Sequence, residues 1–458
     1  MSHPPILSPD AIRTRFSRAL SDMYRREVPL YGTLLGLVAD TNAAVLRADP
    51  ALADRLARTD ALERIDLERH GAIRLGTAAE LATMRRLFAV MGMVPVGYYD
   101  LSAAGVPVHA TAFRPVSDAA LARNPFRVFT SLLRPELVPD AALREAARAI
   151  LARRRIFTEG ALALIDRSER AGGLTAPEAE AFVGEAIETF RWHGRAAVDA
   201  AAYRGLRAVH PLVADVVCFK GPHVNHLTPR TLDIDAVQAA MPGRGIAAKA
   251  VVEGPPRRRC PILLRQTSFK ALEEPVVFAG DEAPGTHTAR FGEVEQRGLA
   301  LTPAGRALYD RLLGEARADG EGAGYPARLE RAFTAFPDDA AELRRGGLGF
   351  FRYGLTAAGR AAAGRDSALA RAGVDDLVAS GHAEAEPIVY EDFLPVSAAG
   401  IFRSNLGGAE PDGASSGPDR AGFEAALEAP VADEMALYLA AERRSCDSVR
   451  ALIGGQAA

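Results

Sequence analysis

The chain has 458 residues, more than one ordinary core accommodates, so two or three domains or one elaborated domain are expected. With 48% hydrophobic and 25% charged residues and a formal net charge of −3, it is a folded globular protein without the basic face that nucleic acid or an anionic membrane would favour, which leaves small-molecule chemistry. Cys218, Cys260 and Cys446 make neither a disulfide framework nor a Cys-x-x-Cys zinc pattern, and the N-terminal stretch with Asp10, Arg13 and Arg15 predicts neither signal peptide nor membrane span, so a reducing cytoplasm is expected.

Residues 9 to 60 predict helices: Asp10 can open one, and Ala11, Ile12, Phe16, Leu20 and Met23 form an apolar stripe at helical spacing. Glu-Arg-His-Gly-Ala-Ile-Arg-Leu-Gly-Thr at 68 to 77 predicts a strand. Alternation puts His70, Ala72 and Arg74 on one face of it, a possible metal ligand beside a possible anion clamp. Taken alone, the pair is read as well as a core histidine and a salt bridge, to Glu68 for instance. Thr77 and Glu80 then make a capping-box pattern before a helix faced by Leu81, Met84, Leu87, Phe88 and Met91, which stops near Gly92. Val94 to Leu101 and Val106 to Val116 follow as strands, the second containing Thr111-Ala112-Phe113-Arg114.

From Pro135 to His210 the texture is Ala, Arg and Glu at helical spacing, a helical insertion. The earlier order then returns. Asp215 to Phe219 is predicted as a strand, His226 follows, and Thr231 caps a helix bearing Ile234, Val237 and Met241 that Pro242-Gly243 breaks. Strands are predicted at Ile246 to Val252 and Ile262 to Ala271. The second contains Thr267-Ser268-Phe269-Lys270, at the place that Thr111-Ala112-Phe113-Arg114 holds in the first set. The correspondence points to an internal repeat, each copy with a histidine just before its helix. The second copy closes with Ala289 to Gly298, a strand on which Phe291, Glu293, Glu295 and Arg297 share a face. Two carboxylates there are costly to bury unless paired or bound to a metal, and parity leaves open which of them is the ligand. Beyond Thr302 the chain reads as largely helical, with Tyr390 to Phe402 as a last strand and 407 to 421 as a mobile loop before a closing helix from Gly422.

His70, His226 and Glu293 together make the two-histidine, one-carboxylate set that holds non-haem Fe(II) and leaves positions open for a chelating substrate and dioxygen. His223, three residues before His226, falls on the opposite face and is read as structural or as a partner of a ligand. Glu295 pairs with Arg297 or holds a ligand in place, and Gln266 makes either a pocket or a strand contact. His109, His193, His210, His287 and His382 receive no role.

The repeated unit resembles the vicinal oxygen chelate fold, and Phe-x-Glu-Val-x-Gln-Arg at 291 to 297 is similar to the last ligand strand of 4-hydroxyphenylpyruvate dioxygenases, which selects Glu293 over Glu295. A closer resemblance, over nearly the whole chain, is to the 2-oxoadipate dioxygenase/decarboxylase (hydroxyglutarate synthase) family. It is carried by His-Gly-Ala-Ile-Arg-Leu-Gly-Thr at 70 to 77, Val-Asn-His-Leu-Thr-Pro-Arg at 224 to 230, Arg-Phe-Gly-Glu-Val-Glu-Gln-Arg-Gly at 290 to 298 and Tyr-Glu-Asp-Phe-Leu-Pro-Val-Ser-Ala-Ala-Gly-Ile-Phe at 390 to 402.

The resemblance implies an α+β fold in which paired βαβββ modules curve a sheet around a metal, with a large helical insertion and additional N- and C-terminal helices. The corresponding division is 1–60, an N-terminal helical layer; 61–134, the first module; 135–210, the insertion; 211–305, the second module; and 306–458, a mostly helical region with a site-completing strand near 390–402. It implies His70, His226 and Glu293 as Fe(II) ligands, Arg74 as the clamp on the substrate's far carboxylate, and Val396 and Ser397 beside that carboxylate. The implied reaction converts 2-oxoadipate and dioxygen to D-2-hydroxyglutarate and carbon dioxide, a step of lysine breakdown. Two alternatives stand beside it: a glyoxalase-like lyase or hydrolase using zinc, nickel or manganese without dioxygen, and a non-catalytic small-ligand binder.

Overall fold

The computed structural model describes residues 5–58, 61–281, 284–318, 320, 324–394 and 418–455. The protein is a mixed α+β chain of many helices and small sheets. It divides into two compact units: Met1–Val252, Gln266–Glu295 and Phe393–Ala432 form the first, and Glu253–Arg265, Gln296–Asp392 and Asp433–Ala458 the second. Among the described residues no helix is long and apolar enough to cross a membrane.

The strands in chain order are β1 Arg69–Leu75, β2 Val94–Asp100, β3 Val108–Arg114, β4 Arg127–Leu133, β5 His226–Pro229, β6 Leu264–Ser268, β7 Glu273–Val276, β8 Gly285–Thr288, β9 Glu293–Arg297, β10 Phe351–Leu355 and β11 Ala383–Pro387. The first unit is built on a five-stranded sheet of order β2-β3-β4-β1-β5. β1 runs parallel to β4 and antiparallel to β5, so it is buried on both edges. Its residues alternate, and every partner on β5 is fixed in register: His70 faces Thr228 and Ala72 faces His226. Residues directly opposite on a ladder share a face, which puts His70 and His226 diagonally on one side of the sheet.

The predicted N-terminal helices form as Pro9–Glu27 and Pro29–Ala48. Ser8 caps the first, Pro9 occupies a position that needs no donor, and Ile12, Phe16, Leu20 and Met23 are buried in the main core. Arg13 is buried with them and donates to the carbonyls of Met91, Asn124 and Ala120. The helix Ala78–Ala89 is capped by Thr77 as expected, but the carboxylate of Glu80 reaches back to the Gly76 N–H and to Arg154, one residue beyond a standard capping box. The helical texture downstream resolves into Ala141–Arg153, Glu159–Ala171, Ala176–Glu188 and Ala200–Val209.

Three expectations need correction. The segment Asp215 to Phe219 is not a strand: Pro211–Cys218 is an α-helix, with His210 as its cap and Pro211 in its first turn. Every residue of that helix except Pro211 is buried, so its valine-rich run carries no polar face to reveal a helical period. Ile246 to Val252 is not a strand either; it contributes one bridge, Ala248 to Phe269. Tyr390 to Leu394 lacks strand structure, preceded by a single bridge between Val389 and Leu299 within the second unit. The rest of that predicted strand, with Val396 and Ser397, and residues 407–417 of the predicted loop lie outside the described residues. The sequence reading also passed over β4, whose seven residues are all buried and show no alternation, and over the antiparallel pair β10-β11.

The second unit packs β10 and β11 with the helix Glu434–Ile453 around Leu355, Leu377, Ala383, Val449 and Ile453.

Candidate metal centre

β1, β5 and β9 each deliver one polar side chain to the same buried place. His70, His226 and Glu293 are all at most 1% exposed, and a ligand atom from each lies within 4.8 Å of the others. The two imidazole rings stand edge to face, centroids 5.4 Å apart. His70 Nε2 is 3.1 Å from Glu293 Oε1, and His226 Nε2 is 4.0 Å from the same oxygen. Short as these separations are, neither nitrogen of either ring makes a well-formed hydrogen bond, and Glu293 Oε2 has no partner. Buried polar atoms nearly always find partners, so ligand atoms left over at this density fit a metal ion. Two imidazoles and a carboxylate suit a borderline divalent metal, and a tridentate set leaves coordination positions for other ligands.

The surroundings hold the three side chains in place. Thr228, directly across the ladder from His70, donates to Glu293 Oε1 at 3.1 Å, and the Gln266 amide donates to the same oxygen at 2.6 Å. Glu295 lies on the same face of β9 as Glu293, and its Oε2 approaches His70 Nδ1 to 2.9 Å. The two glutamates thus divide the two nitrogens of His70 between them, and the choice that parity left open has a geometric basis: Glu293 joins the three-residue group and Glu295 lies behind His70. Phe393 packs edge-on against the His70 ring at 5.0 Å and Phe291 against His226 at 4.8 Å, which makes the polar group's outer wall aromatic. Gly292 is required between the two: a Cβ there would lie 2.2 Å from the Phe269 ring. The Tyr24 hydroxyl, from the N-terminal helix, donates to the carbonyls of Asn225 and Phe291 and so ties the residues before His226 and before Gly292 together.

Burial disfavours charge on every member. It pulls His226 down to about 4, so this imidazole is neutral and able to coordinate at ordinary pH. On His70 burial acts the same way but is outweighed by Glu295 and Glu293, which raise it. For Glu293 burial is outweighed by His226 and His70, which hold the carboxylate ionised.

Arg74 follows His70 along the same face of β1. Its Nη1 lies 2.6 Å from Asp215 Oδ2, whereas Glu68, the acid considered from sequence, is taken by Arg64, Arg127 and Arg230. Asp215 also receives His287 at 2.9 Å and His223 at 3.3 Å, both on Oδ1. His223 therefore sits with Asp215 rather than in the three-residue group; it lies before β5 begins, so the strand alternation used to place it does not apply there. The sequence reading missed Asp215 and His287 as part of this neighbourhood. His-Pro at 210 to 211, a helix-start signal, would have placed Asp215 on a helix.

Comparison with known proteins adds the context. Residues 16–405 match the family described as 2-oxoadipate dioxygenase/decarboxylase. The chain is 58% identical to the protein of that name from Pseudomonas putida over 96% of each chain, and 56% identical to the one from Escherichia coli over 96% of this chain and 98% of the other. It superposes with a TM-score of 0.90 and 56% identity on the crystal structure of the Pseudomonas putida hydroxyglutarate synthase in complex with 2-oxoadipate, covering 98% of this chain and 99% of that one. At this identity over nearly full length in both directions, the chain belongs to the 2-oxoadipate dioxygenase/decarboxylase family.

Proposed function

We propose that this protein converts 2-oxoadipate and dioxygen to 2-hydroxyglutarate and carbon dioxide at an Fe(II) ion held by His70, His226 and Glu293. The observation that carries the reading is the buried group of three, with ring nitrogens and a carboxylate oxygen left without hydrogen bonds, in a chain 58% identical to a relative of that name. The iron would supply dioxygen activation and a centre for a 2-oxo acid to chelate. Both oxygen atoms end in products, one in the new carboxylate and one in the hydroxyl, so the substrate's own decarboxylation furnishes the electrons.

The chain's residues do the rest. Glu295 fixes the ring orientation of His70, and Thr228 and Gln266 hold the Glu293 carboxylate through Oε1, so the three residues that would hold the metal are each braced by a neighbour or a partner ligand. Phe393 and Phe291 exclude water from the same region. Arg74 grips the far carboxylate of the substrate, with Val396 and Ser397 beside it. The fold behind this is read as paired vicinal oxygen chelate modules, 61–134 and 211–305, with 1–60, 135–210 and 306–458 as helical layer, insertion and C-terminal region. Supporting it, β1 runs parallel to β4 as Arg230 bridges parallel to Glu295, and β3 pairs with β2 as Phe269 bridges Ala248. Three cysteines, none in a disulfide, agree with a cytoplasmic location.

The test is anaerobic reconstitution. Metal-stripped protein loaded with Fe(II) and 2-oxoadipate, then given air, should consume oxygen in step with the appearance of 2-hydroxyglutarate, and zinc should not replace iron. Full turnover with zinc under argon would instead establish the glyoxalase-like lyase or hydrolase.

A further inference from the structure

Behind Arg74 lies a buried polar cluster that the metal chemistry does not use. Asp215, 5% exposed, is contacted at both carboxylate oxygens: Arg74 Nη1 at 2.6 Å and Asn225 Nδ2 at 3.4 Å donate to Oδ2, His287 Nε2 lies 2.9 Å from Oδ1, and His223 Nε2, itself 3.2 Å from Asn225 Nδ2, lies 3.3 Å from the same oxygen. The next layer is fixed too. His287 Nδ1 is 2.9 Å from the Tyr203 hydroxyl, its ring lies parallel to Trp192 at 5.9 Å, and His223 meets Trp192 edge-on at 4.6 Å. The helix carrying Asp215 is set by the His210 cap.

A counterion for a half-buried guanidinium needs one good contact. A carboxylate held from four sides is fixed in position and direction, and one of its donors, Asn225, is the residue immediately before His226. The same aspartate is therefore bonded to the proposed clamp and to the strand entry of a proposed metal ligand, which fixes the separation between them. Preorganised distance of this kind is what lets a site read the length of a flexible ligand.

We propose that Asp215 is a positioning residue that sets the reach between Arg74 and the metal centre, and so makes the enzyme selective for a six-carbon 2-oxo diacid over its shorter and longer homologues. This rests on the reading of Arg74 as the carboxylate clamp. In Asp215→Asn the amide turns a donor toward Arg74 or gives up a donor from the histidines, and the guanidinium loses its anchor while remaining present.

The experiment measures kcat and KM for 2-oxoglutarate, 2-oxoadipate and 2-oxopimelate, together with 2-oxohexanoate, which lacks the far carboxylate, on Fe(II)-loaded wild type and variants. Asp215→Asn should raise KM for 2-oxoadipate roughly tenfold with kcat much less changed, the scale of one misdirected charge-assisted contact. The preference over the shorter and longer diacids should flatten by a similar factor, the preference over 2-oxohexanoate should persist, and iron content should be unchanged. Asp215→Glu keeps the charge but changes the reach, so it should not restore the length preference. Tyr203→Phe, at the far edge of the cluster, should move the length ratio the same way by about two- to threefold, and decides the matter if Asp215→Asn does not fold. An unchanged length ratio in these variants, with Arg74→Ala having lost its preference for diacids, overturns the proposal and leaves the clamp standing. If Arg74→Ala keeps the diacid preference, the clamp reading fails and takes the proposal with it.

Discussion

Two buried charged clusters meet the chain within three residues of each other, and they are built on opposite plans. Glu68, fully buried just before β1, is surrounded by Arg64 at 3.1 Å, Arg127 at 2.8 Å and Arg230 at 2.9 Å. Each Glu68 oxygen is occupied by guanidinium N–H groups. His70, two residues later, belongs to a cluster just as deeply buried in which the nitrogens of both histidine rings and Glu293 Oε2 complete no hydrogen bond. Desolvation is costly in both cases, so neither would persist without compensation. In the first the carboxylate is compensated by its own neighbours; in the second the leftover ligand atoms fit a metal ion. How fully its carboxylate is satisfied, rather than burial or charge, separates one cluster from the other: both Glu68 oxygens are occupied, and Glu293 Oε2 is not.

That distinction can be broken by mutation, because each cluster should fail in a different measurement. The largest effect is expected for Glu293→Gln, which removes an anionic ligand with little change in shape: Fe(II) content should fall to background and turnover by more than about a thousandfold, while thermal stability of the metal-free protein changes little. The reverse pattern, an active Glu293→Gln enzyme with Glu295→Gln inactive and metal-free, would exchange the two glutamates. Glu68→Ala should do the opposite, leaving three buried guanidinium groups facing one another. Urea unfolding should show a loss of about 3 to 5 kcal/mol, with normal iron stoichiometry in the fraction that folds.

Arg74→Ala lies between the two plans, since Arg74 is paired with Asp215 yet is assigned to the substrate. Its catalytic efficiency on 2-oxoadipate should fall by roughly two to three orders of magnitude at unchanged iron content, and its preference for the diacid over 2-oxohexanoate should disappear. Smallest is Glu295→Gln, where the residue supports a ligand without being one. Fe(II) affinity, measured by competition with a chelator, should weaken by about ten- to a hundredfold, and saturating Fe(II) should restore most of the activity.

Much of this site was legible in the sequence because short-range rules apply to it. Alternation on one strand placed His70 and Arg74 on a common face, and the repeat pointed to His226 as the counterpart of His70. The N-terminal helices announced themselves through Asp10 and the stripe of Ala11, Ile12, Phe16, Leu20 and Met23. What escaped was set by tertiary surroundings. Pro211–Cys218 is buried on nearly all sides, so its residues show no helical period, and the helix that carries Asp215 read as a strand. β4 is buried end to end and likewise lacks alternation. His287 carried no local signal, because its role comes only from Asp215 and Tyr203, both distant in the chain. Glu295 could not be told from Glu293 by parity, since both point the same way and only the position of His70 distinguishes them.

The ladder between β1 and β5 has one further consequence. It joins segments separated by the whole run of helices from Ala141 to Cys218, and the third ligand strand, β9, arrives later still. Bringing such remote segments together is entropically the slow part of folding, and no fragment shorter than Arg69 to Arg297 contains all three ligand strands. A metal ion held by all three strands would therefore require at least this span to have folded. By mass action such an ion would stabilise only molecules that have closed this ladder, so metal content would gauge how many molecules in a preparation have brought the three strands together.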